Sequence, residues 1–280
     1  MTDVNLTIDH GNTRTKLAMW AAGDSRSAST ADTSADRQPL AAAAMKSLDA
    51  RALDKFLDGH TVAACCLCSV AGGDDDGRLR RLLEKRCRRL LVLDPATTRT
   101  PLRVGYATPQ TLGADRLAAA VGAWQIVAGG KVLVVDVGTA VTYDLVDNGV
   151  FVGGNIAPGI NMRLRALNRY TDRLPLVDST GPVEDWGRDT AMALRAGAVD
   201  GVVAEIEYYR RRLGPGAGVI LTGGAAQLVS ARLSFDARTV PDLVCLGLRH
   251  ILRSWLDADT VNENQSSPRL SGAKVTINET

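Results

Sequence analysis

Apolar and polar positions alternate from the first residues. Val4, Leu6 and Ile8 interleave with Asn5 and Thr7, a polar stretch interrupts, and Leu17-Ala18-Met19-Trp20 resumes the apolar run. Strand, glycine-containing turn and strand predict a β-hairpin. Residues 21–36, rich in Ala, Ser, Asp and Thr, leave a weak strand or loops equally open. Pro39 opens an Ala-rich, helix-favouring segment that runs to Phe56 and Leu57, with Gly59 as its stop. Residues 61–70 predict a buried strand. A basic helix over residues 77–89 follows, with Leu79, Leu82, Leu83, Cys87 and Leu90 as its apolar stripe, and Leu90-Leu91-Val92-Leu93 closes the unit as a strand.

The second half repeats the scheme. A loop at 95–111 leads into an apolar helix over 117–127, which ends at Gly129-Gly130. Lys131-Val132-Leu133-Val134-Val135 predicts a strand, and 141–146 and 150–156 predict two more, joined by Asp147-Asn148-Gly149. A helix runs from Gly159 to Leu167. Asp189-Thr190 caps a long helix over 191–212, Val219-Ile220-Leu221-Thr222 is a strand, and 242–256 is the last helix. Each half starts with a hairpin and continues into alternating helices and strands, which predicts an α/β chain with a duplicated unit and mixed sheets. The expected division is 1–128, 129–258 and a poorly ordered polar tail over 259–280, the polar character setting in at Asp257.

Composition narrows the partners more than the fold. At 280 residues the chain has room for two domains, and its 45% apolar and 23% charged residues are those of a globular protein. A formal net charge of +2 gives no drive toward nucleic acid or membranes, and no apolar run approaches the roughly 20 residues of a membrane span. The N-terminus does not read as a secretory signal. Cys65, Cys66, Cys68, Cys87 and Cys245 read as reduced cytoplasmic thiols, because no second cluster of ligands completes a zinc site with them. Arg78, Arg81, Lys85, Arg88 and Arg89 on the basic helix read as a solvated face, with a phosphate-backbone contact as the alternative.

The candidate chemistry lies in the turns. Asp9-His10-Gly11-Asn12-Thr13-Arg14-Thr15-Lys16 is echoed by Asp136-Val137-Gly138-Thr139-Ala140, each an Asp-x-Gly turn at the end of an apolar strand. Gly11 lets backbone approach a phosphate, Asn12 and Thr13 donate to its oxygens, and Lys16 adds positive charge. Asp9 suits Mg²⁺ held through water, and Asp136 is a further carboxylate for a cation. Gly223-Gly224 could lie against a nucleotide's adenosine end. There is no GxxxxGK(S/T) sequence, so this is not a P-loop. Asp115, in Gly113-Ala114-Asp115-Arg116, reads equally as a general base or as a carboxylate favoured by a helix N-terminus.

Taken in order, these turns resemble the type III pantothenate kinase family. The resemblance is carried by Asp9-x-Gly11-Asn12-Thr13-x-x-Lys16, by Tyr106-x-x-Pro109-x-x-Leu112-Gly113-Ala114-Asp115-Arg116, and by the run from Asp136 to Asp144. Gly153-Gly154-Asn155-Ile156-Ala157-Pro158-Gly159, Thr190-Ala191-Met192-Ala193 and Leu221-Thr222-Gly223-Gly224 complete it. It implies duplicated RNase H-like domains of the acetate and sugar kinase, Hsp70 and actin superfamily, and phosphorylation of pantothenate by ATP on the way to coenzyme A. It further implies that residues 9–16 and Thr139 meet ATP phosphates, and that Asp115 accepts the proton of the attacking hydroxyl. Tyr106, Gly113, Ala114, Asp115, Arg116 and Thr190 would contact pantothenate. Asp136 would bind K⁺ or NH₄⁺ where the bare chemistry suggests Mg²⁺. The family also implies a homodimer with the pantothenate site near its interface. His10 departs from the apolar residue usual in the first motif. The competing expectations are a relative acting on another hydroxyl acceptor and a non-catalytic accessory factor using the basic helix.

Overall fold

Two sheets of matching strand order build the protein, and two helices packed between them form its centre. The computed structural model describes residues 2–22, 38–70, 74–127 and 129–266. In the first sheet β1 (Asp3–His10) pairs antiparallel with β2 (Thr15–Ala21), and β2 pairs antiparallel with β3 (Ala41–Met45). Helix α1 (Ala50–Leu57) leads to β4 (Thr61–Ser69), parallel to β1, and α2 (Asp74–Glu84) leads to β5 (Cys87–Val92), parallel to β4. The order across the sheet is β3-β2-β1-β4-β5.

A short β6 (Arg103–Val104) and one 3-10 turn (Pro109–Thr111) interrupt the next loop before α3 (Ala114–Val127). Then β7 (Lys131–Val137), β8 (Ala140–Asp147) and β9 (Val150–Pro158) form an antiparallel meander. After α4 (Ile160–Arg169) and α5 (Thr190–Leu213), β10 (Gly218–Thr222) adds parallel to β7. Helix α6 (Ala226–Ser230) and β11 (Arg238–Thr239) follow, and α7 (Leu243–Ser266) ends the described chain. The second sheet reads β11-β10-β7-β8-β9-β6. Without the edge strand β6 it repeats the first sheet's order and strand directions, so the duplication expected from the two hairpins is present in the topology.

Side-chain alternation sends each strand's residues to two cores. Val4, Leu6 and Ile8 point outward from the first sheet onto Leu53 and Leu57 of α1 and Leu79 and Leu83 of α2. The cysteines of β4 divide the same way. Cys65 packs in that outer core, while Cys66 and Cys68 join α3, α7 and β7 in the core between the sheets. All five cysteines are free thiols, four of them buried, where they pack as small hydrophobes. Helices α3 and α7 cross so closely that a Cβ on Gly247 would lie 1.8 Å from the carbonyl oxygen of Ala118, so only glycine fits at the crossing. The C-terminal helix therefore shares a core with the N-terminal sheet.

Three local expectations change. The Ala-rich segment does not run as one helix from Pro39. Ala41–Met45 is edge strand β3, and the helix begins only after Asp49, whose carboxylate accepts from the Ala52 N–H at 2.8 Å. Pairing with β2 outweighs alanine's helix preference, and a true N-cap decides where the helix starts. The basic helix stops at Glu84, and Cys87, Arg88 and Arg89 enter β5 because pairing with β4 claims their backbone. Helix α7 continues past Asp257 to Ser266, held by Arg89, which pairs with Asp259 and lies 4.4 Å from the Trp255 ring. Residues 23–36 of the Ala/Ser-rich stretch and the tail beyond 266 lie outside the described residues. No helix among the described residues is long and apolar enough to cross a membrane.

Candidate active site

The first hairpin divides its turn residues between two faces. Directly opposed residues of an antiparallel pair share a face, and the register opposes Asp9 to Lys16 and His10 to Thr15. His10 Nδ1 and Thr15 Oγ1 lie 2.8 Å apart across the hairpin, on the face that continues into Ile8 and Leu17 and the outer core. These two side chains hold the hairpin's end together. Asp9 and Lys16 point the other way, toward the space between the sheets. The turn is closed by the Gly11 N–H donating to the Arg14 carbonyl at 3.1 Å, and Asn12, Thr13 and Arg14 are exposed at its tip.

The second turn comes to meet the first. Thr13 Oγ1 and Thr139 Oγ1 are 3.0 Å apart. Lys16 Nζ donates to the Pro241 carbonyl at 3.4 Å, and Thr222 Oγ1 donates to the same oxygen at 3.3 Å. The ends of β1, β2, β7 and β10 thus converge with the segment before α7. Gly223, at φ +93°, completes the junction: a Cβ there would stand 2.4 Å from Asp136 Oδ1.

Charge at this junction is unbalanced. Burial pushes the Asp9 carboxyl up to about 7. Lys16 opposes that rise, while Asp115 and Asp136 add to it. Burial likewise raises Asp136 to about 6, again against Lys16 and with Asp115 and Asp144 contributing. Asp115 is raised by burial, offset by the Arg116 N–H, which donates to Asp115 Oδ1 at 2.8 Å, and by the Arg116 guanidinium. These three carboxylates feel one another, and Lys16 is the cation acting on both Asp9 and Asp136. Such an excess of buried negative charge suits a cation. Among the described residues no group of three or more His, Cys, Asp or Glu is gathered as a metal site. A cation here would therefore rest on one or two carboxylates, with backbone, water or phosphate oxygens supplying the remaining ligands, as hard cations commonly do.

On the other side of Asp115 lies a closed, neutralised group. The Arg116 guanidinium meets Asp144 with Nε 3.0 and 3.2 Å from the two carboxylate oxygens and Nη2 2.5 Å from Oδ1. The Tyr106 and Phe151 rings stand edge to face, 6.1 Å apart, with the guanidinium carbon 5.8 and 5.9 Å from their centroids. Gly153 lies against the Tyr106 ring, and Gly113 directly precedes the turn that carries Ala114 and Asp115.

The structure thus brings together Asp9, Thr13, Lys16, Asp115, Asp136 and Thr139, and sets Tyr106 and Arg116 beside them. It does not bring Thr190 to them. That residue opens α5, capped by Asp189, which accepts from the Met192 N–H at 2.8 Å; α5 packs on the outer face of the second sheet, and Thr190 is exposed. Sequence reasoning missed Asp144 as the partner of Arg116. The available signal was a carboxylate inside an otherwise apolar strand, which needs a buried counter-charge. Of the five residues named on the basic face, Arg88 and Arg89 lie in β5 and pair with Asp3 and Asp259.

Comparison with known proteins places the chain in a family. Residues 5–212 match the family model described as type III pantothenate kinase. The type III pantothenate kinase of Porphyromonas gingivalis is 34% identical over 255 residues, 89% of this chain and 97% of that one. Among solved structures, a protein assigned to the Baf family of transcriptional activators from Campylobacter jejuni superposes with a TM-score of 0.57 at 20% identity, over 90% of this chain and 99% of that one. A protein assigned as a 2-dehydro-3-deoxygalactonokinase from Sinorhizobium meliloti does so at 0.52 and 14%, over 90% of this chain and 99% of that one. At these identities the structural matches speak for the fold alone. The sequence matches go further: this chain belongs to the type III pantothenate kinase family.

Proposed function

We propose that the chain transfers the γ-phosphoryl group of ATP to the primary hydroxyl of pantothenate, giving 4′-phosphopantothenate and ADP, the first step toward coenzyme A. The observation that carries this reading is the convergence of the two Asp-x-Gly turns, joined by Thr13 and Thr139, beside Asp115. Turn backbone and the Asn12, Thr13 and Thr139 side chains would cradle the phosphates. Lys16 would balance charge that develops on the transferred group. Asp115 accepts the hydroxyl proton as the oxygen attacks phosphorus and the bond to the β-phosphate oxygen breaks. A carboxyl raised by burial is a better proton acceptor at neutral pH than an ordinary aspartate. Asp136 would hold the monovalent cation, K⁺ or NH₄⁺, and Asp9 a water of Mg²⁺. Such ions would supply positive charge where the junction lacks it.

The acceptor side would be formed by Tyr106 and the segment Gly113-Ala114-Asp115-Arg116. A homodimer fits the large apolar side chains left exposed beside it and near Thr190: Val152 46%, Ile156 64%, Leu176 65% and Trp186 87%. In that arrangement Thr190 would reach the pocket of a second copy. The two halves, 1–128 and 129–258, would form the two walls of the cleft, and the free thiols support a cytoplasmic location. The test is ADP release by the purified chain with and without pantothenate, in potassium or ammonium against sodium. Pantothenate-dependent release that needs potassium or ammonium is expected. Its absence from folded protein would refute the reading.

A further inference from the structure

Strand β8 is buried on both faces, with Tyr143 on the outer face and Val146 between the sheets. Asp144 sits in this strand at 1% side-chain exposure and Arg116 opposite it at 7%, so neither charge has water to fall back on. A buried pair of this kind is no better for stability than apolar residues of the same volume, so stability alone does not account for it. The surroundings are shaped to hold it. Gly154 is the cross-strand neighbour of Asp144, and a Cβ there would come within 2.1 Å of Asp144 Oδ1 and 2.8 Å of Arg116 Nη2. A bare backbone at 154 is what lets the pair lie across β9.

Arg116 then connects in three directions. Its guanidinium is fixed on Asp144 through two nitrogens. The same group stands against the Tyr106 and Phe151 rings. Its own backbone N–H holds Oδ1 of Asp115 at 2.8 Å. We infer that Asp144 is a positioning residue for the acceptor: by fixing the Arg116 guanidinium it sets the Tyr106 ring and the first turn of α3, and so fixes where the acceptor is held in front of Asp115. Asp144 itself touches neither acceptor nor phosphate. The inference rests on the pantothenate kinase reading, and the test separates the two.

Asp144→Asn keeps the side chain's shape and one acceptor oxygen but turns an amide N–H toward the guanidinium. With ATP saturating, the pantothenate KM is expected to rise about tenfold or more while kcat falls less than about threefold and the ATP KM stays within about twofold. Arg116→Gln/Asp144→Asn removes both charges and so leaves no lone buried ion; its pantothenate KM is expected to equal that of Arg116→Gln alone, since Asp144 acts only through the guanidinium, and that comparison decides the matter if Asp144→Asn does not fold. A wild-type pantothenate KM in Asp144→Asn, or in the double variant, overturns the inference. So does a fall in apparent kcat in step with the folded fraction while both KM values stay at wild type, which would mark a purely structural pair. Wild-type protein without pantothenate-dependent ADP release overturns the functional reading and this inference together. Wild-type turnover with an unchanged variant overturns the inference alone.

Discussion

Asp136 on β7 and Asp144 on β8 lie in paired strands of one sheet, and the protein treats their charges in opposite ways. Asp144 is met by a guanidinium through two nitrogens, shut away from water and bounded by aromatic rings. Asp136 has burial and two like charges against it, with Lys16 alone in its favour among the charges acting on it. Asp9 is in the same position across the cleft. On the proposed acceptor side, the ion pair and its flanking rings are closely fitted. The proposed phosphate side is left short of positive charge, and that shortage is what a bound cation would relieve. In the proposed reading, the neutralised pair serves recognition of a hydroxyl acceptor, and the uncompensated charge serves the binding of ions.

The comparison breaks most readily at Lys16. Lys16→Met should lower kcat/KM for ATP by about a thousandfold, since the proposed phosphate site loses the cation that opposes Asp9 and Asp136. Loss of less than about tenfold in steady-state kinetics would mean that Lys16 serves only as a tie to Pro241.

Asp9 tests the phosphate side without any substrate. Its carboxyl rises from an ordinary 3.8 to about 7 in the folded chain. Between those values the native state holds a proton that the unfolded chain has released. This group's contribution to stability is therefore fully present below pH 3.8 and is lost as pH rises through about 7. Asp9→Asn removes the loss. At pH 8 the ligand-free variant should be more stable than wild type by about 3 kcal/mol, with a ceiling of roughly 4 kcal/mol set by the size of the rise. The two proteins should converge near pH 4 in thermal unfolding. A wild type as stable as the variant at pH 8 would show that the cleft tolerates the Asp9 charge.

Smaller effects sharpen the contrast. Thr139→Val removes the contact with Thr13 and should raise the ATP KM about fivefold while the pantothenate KM holds, as measured by paired titrations. Asp49→Ala removes the cap of α1, far from the cleft. It should cost about 1 kcal/mol in chemical denaturation and leave both KM values alone.

How far the sequence could be read depended on what each residue's role required. The hairpins were legible because alternation and glycine turns are local signals, and the repeated scheme followed from them. The strand at Ala41–Met45 was not, because its conformation is imposed by pairing with β2, a partner distant in the chain. Cys87 to Arg89 misled for the same reason: a helical stripe continued in the sequence after the backbone had been taken by β4. Asp9, Lys16, Asp115 and Asp136 stood out through the echoed Asp-x-Gly turns and the family resemblance, since a carboxylate at a turn or helix start serves as readily as a cap, as Asp49 does. The division of the first turn between two faces, with His10 and Thr15 on the outer one, became visible only with the strand register. Asp144 had a signal that was passed over, a charge in an apolar strand, but its partner lay on α3 and no spacing pointed to it.

In the proposed reaction Asp115 takes a proton from pantothenate as ATP gives up its phosphoryl group. The most direct measurement compares wild type with Asp115→Asn, following 4′-phosphopantothenate by mass and folding by thermal melting. Product is expected from wild type, with a loss of at least about a thousandfold in the variant and little change in the melting midpoint. Full-rate product formation by Asp115→Asn would contradict this role.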